Sequence, residues 1–325
     1  MNKRLGLLLG LMLTCSTTLA AEHGVKVVSP DRFHLDAGDL SLGVSQDWRQ
    51  PLPQVTRALI IVQGRLRNAQ TYLQSGEDAA EHAGQAAKTL VIAPQFLNEF
   101  DVKRNHLDNQ VLRWKGNDWM AGEPSSGPGQ ISSYGALDQI IKHLGNRTLF
   151  PALKEIVVAG HSGGGQVVQR FAVTGHEHPT LLTEGIRVRY VVANPSSYAY
   201  FSPQRPLKFD AANCPGFNDW KYGMQHLPAY AKGQSAEQLE RVYVSRNVTY
   251  LLGQQDTDPN HPALDKSCEA QTQGAYRLIR GHNYFDYLQQ RHPQLGHRWV
   301  EVPGVGHNGD GMFTSPEGQK VLFTN

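Results

Sequence analysis

The chain has 325 residues, 40% of them hydrophobic and 18% charged, with a formal net charge of +2. That length suits one large α/β domain or two smaller ones, enough chain to bury a sizeable core. Near-neutrality, with no basic stripe or acidic tail, argues against nucleic acid and anionic membranes as partners.

The first residues, Met1-Asn2-Lys3-Arg4, are followed by an apolar run from Leu5 to Leu13 and then by small residues ending Thr18-Leu19-Ala20-Ala21. A charged start, a short apolar stretch and a small-residue end read as a secretory signal peptide over residues 1–21, cleaved after Ala20 or Ala21. The run is shorter than the roughly 20 residues a bilayer span needs, so no membrane anchor is expected. Leu13-Thr14 before Cys15 makes a poor lipoprotein signal. Lys3 and Arg4 carry both units of net charge, so the mature chain is neutral. Removing Cys15 leaves Cys214 and Cys268 in a chain bound for the periplasm or the exterior. A single disulfide between them is the economical reading.

Short Val/Ile/Leu runs at 58–62, 89–93, 156–159, 188–193 and 248–252 read as buried parallel strands. Residues 25–28 and 40–44 read as edge strands, and 299–302 as a last strand. Helical stretches are expected at 75–87, 134–144, 165–174, 268–280 and 284–291. The alternation predicts an α/β fold: a mostly parallel central sheet with helices on both faces, in one domain over residues 22–325. Two stretches break it. Residues 95–130 are rich in Asn, Asp, Trp, Gly and Pro. Residues 198–246 carry Tyr198, Tyr200, Phe201, Phe217, Trp220, Tyr222 and Tyr230, and read as a lid or cap insertion.

Gly160-His161-Ser162-Gly163-Gly164 fits G-x-S-x-G between a predicted strand and a predicted helix, the context of a nucleophile elbow. Such a turn lifts the serine hydroxyl above the sheet. Side chains at Gly160 and Gly164 would collide with the adjoining strand and helix, and Gly163 leaves the backbone N–H after the serine, its own, open to an oxyanion.

On these residues the chain resembles the α/β-hydrolase superfamily, whose order is serine, acid, histidine. The resemblance implies an acid after the strand that follows the main insertion. There the chain reads Val248-Thr249-Tyr250-Leu251-Leu252-Gly253-Gln254-Gln255-Asp256-Thr257-Asp258. Asp256 matches the position best and Asp258 is its rival. The histidine belongs after the last strand, where "EVPGVGHNGDG" supplies His307. A serine hydroxyl needs a base to take its proton. His307 would serve, with the aspartate holding the imidazole's tautomer and stabilising its positive form. His161, beside the serine on a tight turn, is expected to pack. The second oxyanion N–H is expected after the third strand. Gln63 stands there where the family often has histidine, followed by Gly64, which makes the N–H of Arg65 the candidate partner of Gly163. Gln63 and Tyr198 are candidate substrate contacts. Asn194-Pro195-Ser196-Ser197-Tyr198 would rim the site or form a hydrogen-bonded turn.

No cofactor and no metal are expected. Asp256-x-Asp258-x-Asn260 lacks the glycine and glutamate of a calcium loop, with His261 and Ser267 in their places. His176-Glu177-His178 has no partner cysteines. No Gly-Lys-Ser/Thr follows the glycine run. The expected function is a secreted serine hydrolase of carboxylic esters, acting on a small-molecule or polymeric ester. Peptidase or amidase action, polyester depolymerisation, and a catalytically silent binding protein on the same fold are the alternatives.

Overall fold

The computed structural model describes residues 24–176 and 179–324, so the expected signal peptide lies outside the described residues. In chain order the elements are β1 (Asp31–Leu35), β2 (Gly38–Val44), β3 (Arg57–Val62), α1 (Ala69–His82), β4 (Thr89–Gln95), α2 (Glu99–Arg104), α3 (Ser133–Leu144), β5 (Glu155–His161), α4 (Gly163–Thr174), α5 (Pro179–Thr183), β6 (Arg187–Ala193), α6 (Ala236–Ser245), β7 (Asn247–Gly253), α7 (Cys268–Gln271), α8 (Arg277–Arg291), β8 (Arg298–Val302), α9 (Gly309–Thr314) and α10 (Pro316–Phe323). The eight strands form one sheet in the order β1-β2-β4-β3-β5-β6-β7-β8. β2 is antiparallel to both its neighbours, and every pairing from β4 to β8 is parallel.

Strand periodicity divides the core in two. Ala58, Ile60 and Val62 of β3 point into one cluster with Leu137 of α3, Val167 and Phe171 of α4, Leu239 of α6 and Leu288 of α8. Leu59 and Ile61 point to the opposite face, against Ala69 and Leu73 of α1, Met312 of α9 and Leu322 of α10. A strand covered on both faces must be apolar at every position, which is why the five central runs stand out in the sequence. The chain leaves β3 for β4 on one side and returns to β5 on the other. The carboxyl ends of β3 and β5 are therefore the point of reversal at which α/β sheets hold their ligands.

Four expected elements differ. Residues 40–44 lie in β2, which pairs with β1 and β4 and so is not at the edge of the sheet. Residues 25–28 are not a strand. Val25 N–H donates to Asp101 Oδ1 (2.8 Å), Ser29 N–H to Gln95 Oε1 (2.7 Å) and Gln95 Nε2 to the Val27 carbonyl (3.0 Å), so side chains take the place of a ladder. α1 starts at Ala69, because Ala69, Tyr72, Leu73, Gly76, Ala79 and Ala80 bury one face at helical spacing. The helix expected over 268–280 is broken after Gln271. Gly274 has φ +146°, a conformation suited to glycine, and α8 then runs unbroken from Arg277 through the expected 284–291 helix.

The irregular segments are anchored rather than loose. Trp114 and Trp119 of the first stretch pack edge-on and stacked against Phe96. Tyr198, Tyr200 and Phe201, at the root of the second, are buried in the core. Cys214 and Cys268 form a disulfide that ties this second stretch to the start of α7. No described helix is long and apolar enough to cross a membrane.

At the amino ends of the strands, Glu155 of β5 is buried between two arginines. Arg57 Nε donates to it at 2.7 Å and Arg189 Nε at 2.9 Å, and both arginines also bond carbonyls of α10. Burial pushes the Glu155 carboxyl up, but the two guanidinium groups outweigh it and hold the carboxyl below its ordinary range. Such a group stabilises the fold above the unfolded-state pKa of about 4.3 and loses that contribution as pH falls. Glu155→Gln is expected to cost about 3 kcal/mol at pH 7 by urea unfolding. The gap from the parent should narrow below about pH 4. An equal gap at both pH values would contradict a charge-based origin. The disulfide closes a loop with a sequence separation of 54. Its removal in a Cys214→Ala/Cys268→Ala variant is expected to cost up to about 4 kcal/mol by loop entropy, read in the same assay.

Candidate active site

Ser162 is the single residue between β5 and α4, at φ +60° and ψ −119°. A non-glycine residue there costs on the order of 1–3 kcal/mol, so the surroundings must impose it. They do so by close approach. A Cβ on Gly164 would overlap the Val62 carbonyl of β3, and one on Gly160 would overlap the Gly164 carbonyl. The Ser162 N–H is fixed on the Ala193 carbonyl of β6 (3.0 Å). The helix is thus pressed onto three strand ends, and Ser162 as a residue remains 9% exposed.

Gly163 is the first residue of α4, where an N–H has no partner inside the helix. A Cβ there would lie 3.0 Å from the Arg65 nitrogen and 2.7 Å from Met120 Sδ. The two backbone amides expected to receive an oxyanion are therefore neighbours. Met120 is held by Arg170, a buried guanidinium that donates to the Met120 carbonyl (3.0 Å), Gln166 Oε1 (3.0 Å) and Ser197 Oγ (3.0 Å).

His307 follows β8. Its Nε2 lies 2.9 Å from Ser162 Oγ and its Nδ1 lies 2.7 Å from Asp256 Oδ2. With Nδ1–H donating to the carboxylate, Nε2 presents a lone pair to the serine hydroxyl. Asp256 is 3% exposed. Asp258, two residues on, is exposed, and its Oδ1 accepts the Asn260 N–H (2.8 Å), closing a local turn. The structure brings Asp256 to His307 and leaves Asp258 at the rim.

Two further imidazoles flank His307, with ring centroids 4.5 Å away for His161 and 4.9 Å for His261. His161 packs as expected: it is buried, and its Nδ1 meets the Tyr72 hydroxyl at 3.2 Å. Burial, reinforced by the charges of His307, Arg277 and His261, pushes its pKa well down. Burial and then Arg277 push His261 down as well.

Both candidate substrate contacts are corrected. Tyr198 is fully buried, stacked on Tyr284 at 4.5 Å, with its backbone paired to the Gln273 side chain at 2.8 and 2.9 Å. Gln63 is fully buried and donates to the Phe96 carbonyl (3.1 Å), which props the loop after β3 from beneath. Neither side chain is exposed at the surface of the site. Sequence reasoning also missed Arg277 altogether, and it placed Asn194 in the rim segment without its role. Asn194 joins the acid and histidine loops, accepting the Gly253 N–H (2.8 Å) and donating to the Gly306 carbonyl (3.3 Å). Arg277 donates to Asp256 Oδ1 (3.2 Å) from the first turn of α8. Their partners lie 21 to 112 residues away, and no local pattern announces such contacts. Among the described residues, Cys214, Cys268 and Glu269 cluster as metal ligands would, but the disulfide uses both sulfurs.

No family model matches the chain, and no curated protein matches it. Solved structures do. Poly(aspartic acid) hydrolase-1 of Sphingomonas sp. KT-1 superposes with a TM-score of 0.62 at 22% identity, covering 91% of this chain and 98% of its own. The poly(3-hydroxybutyrate) depolymerase LpqC of Bordetella parapertussis gives 0.63 at 21% identity, covering 90% of this chain and 89% of its own. At such identities the likeness speaks for architecture alone, and with the sheet order it identifies the chain as having the α/β-hydrolase fold.

Proposed function

We propose that the chain is a serine hydrolase of carboxylic esters, with Ser162 as nucleophile, His307 as general base and acid, and Asp256 as the orienting carboxylate. The observation that carries this reading is the unbroken relay from Asp256 Oδ2 to His307 and on to Ser162 Oγ, at 2.7 and 2.9 Å. Ser162 Oγ bonds to the ester carbonyl carbon while its proton passes to His307 Nε2. The carbonyl oxygen becomes the oxyanion, received by the N–H groups of Gly163 and Arg65. The carbon–oxygen bond to the alcohol then breaks, and His307 gives the departing oxygen its proton. Water attacks the acyl-enzyme with its proton passing to His307, which returns that proton to Ser162 as the acid leaves.

Cleavage of a polymer by the same atoms is the second reading. It is favoured by the two fold neighbours, a poly(aspartic acid) hydrolase and a poly(3-hydroxybutyrate) depolymerase. Residues 22–325 form one domain. In it, residues 198–246 cover the site, rooted in the core by Tyr198 and Tyr200. Export to the periplasm or beyond is proposed from the signal-peptide pattern of residues 1–21 and the disulfide.

A fluorophosphonate probe and p-nitrophenyl acetate test the reading on the purified mature chain. The parent is expected to label and to turn over. Ser162→Ala should abolish labelling and lower kcat on the order of a million-fold. Asp256→Asn should lower kcat roughly 10⁴-fold, and Asp258→Asn should leave it unchanged. A parent that neither labels nor hydrolyses would overturn the proposal and leave a binding protein on a hydrolase fold.

A further inference from the structure

Arg277 is fully buried, and its guanidinium fork is spread over three targets. NH1 donates to Asp256 Oδ1 (3.2 Å), Nε donates to Ser196 Oγ (3.0 Å), and NH2 faces His261 Nδ1 at 3.5 Å. The next residue, Leu278, gives its N–H to the Asp256 carbonyl (3.2 Å). Consecutive residues of the first turn of α8 therefore grip both the side chain and the backbone of the aspartate. Resting on the proposed catalytic relay, we infer that Arg277 is the positioning residue of this site: it fixes the carboxylate that orients His307 and helps direct the proton to His307 rather than to its neighbours.

The positioning argument is geometric. A carboxylate terminal torsion is broad and roughly two-fold, so a single bond to His307 would leave Asp256 free to swing. The bond to the second oxygen removes that freedom. The planar fork is itself immobile, because Ser196 and α8 hold it on either side. Ser196 is fixed in turn, since Arg280 NH1 donates to its carbonyl and Arg280 also bonds the Gly274 (2.7 Å) and Asp265 (2.9 Å) carbonyls.

The proton argument is electrostatic. Three imidazoles lie together, and base catalysis needs the proton on one of them. His261 Nδ1 already accepts the Ala263 N–H (3.1 Å) and faces the Arg277 cation, so a proton there would lose that bond and meet a like charge. His161 is sealed by burial behind Tyr72. The other charged or titratable groups acting on this cluster are Asp258, Arg65, Arg280 and Tyr198. Asp258 and Arg65 oppose one another at its edge, Arg280 adds to the positive side, and the Tyr198 phenol is kept neutral by burial.

The test follows p-nitrophenyl acetate hydrolysis from about pH 5 to about pH 9, the span in which a histidine base shows its limb. Arg277→Met keeps the bulk and removes the fork. It is expected to lower kcat at pH 7 roughly 100-fold with KM within about two-fold, the size of a lost orientation. It should also raise the acid limb of kcat/KM by about one pH unit, because the carboxylate's charge is no longer shared with a cation. Arg277→Lys restores the charge without the fork. It should return the limb to its parent position but leave kcat about 10-fold low. A merely structural role would lower the melting temperature and leave the limb in place. An Arg277→Met variant with parental kcat and limb overturns the inference. If that variant does not fold, Arg277→Lys and Ser196→Ala decide. Each should lower kcat at least about three-fold at unchanged KM, and parental kcat in both overturns it. Fluorophosphonate labelling of the parent separates the two failures. An unlabelled parent defeats the serine-hydrolase reading, whereas a labelled parent indifferent to Arg277 defeats this inference alone.

Discussion

The site depends first on the close contact between α4 and the ends of β3, β5 and β6. At Gly160 and Gly164 backbone meets backbone, with no room for a Cβ. That contact forces Ser162 into a strained conformation and lifts its hydroxyl out of the sheet. It also lays the Gly163 amide beside the Arg65 amide. The serine and the two N–H groups are thus consequences of one packing constraint. Their geometry is set by main chain, the part of a protein least free to rearrange.

The acid and the histidine are held differently. Both sit on loops, and side-chain bonds join those loops to the rest of the molecule. Asn194 ties the end of β7 to the carbonyl of Gly306, one residue before His307. α8 ties down Asp256 by the bonds of residues 277 and 278. The disulfide and the Gln273–Tyr198 pair fasten the segment leading into α8 to the insertion after β6.

This contrast explains what the sequence revealed. The elbow was legible because a steric rule acts over five consecutive residues and demands glycine at fixed places. The five central strands were legible because burial on both faces removes polar residues from every position. The acid was narrowed to Asp256 and Asp258, two residues apart. What separates them is burial at His307 against a local turn at Asn260, which spacing does not encode. Arg277 was illegible, since a buried arginine inside a helical stretch reads like any solvated one. Tyr198 and Gln63 were misplaced for the related reason that a position at a strand end fixes where the backbone goes, not which way the side chain turns.

Buried and half-buried arginines recur where main-chain carbonyls lack a ladder partner. Arg170 serves Met120 and Lys221, Arg205 serves Ser202 and Phe217, Arg246 serves Ala172 at the end of α4, and Arg280 serves Gly274 and Asp265. An irregular segment leaves carbonyls without a ladder, and a buried carbonyl needs a donor. A guanidinium offers five N–H donors in one plane and reaches several carbonyls at once. The electrostatic cost is visible, since burial pushes Arg205 and Arg280 down to about 10. Even so, both stay charged at neutral pH, and the carbonyl dipoles around them stand in for water. At Arg277 the same fork is turned on side chains, the Asp256 carboxylate, the Ser196 hydroxyl and the His261 ring, in place of carbonyls. That change of partners connects the scaffold of the insertions to the chemistry proposed at Ser162.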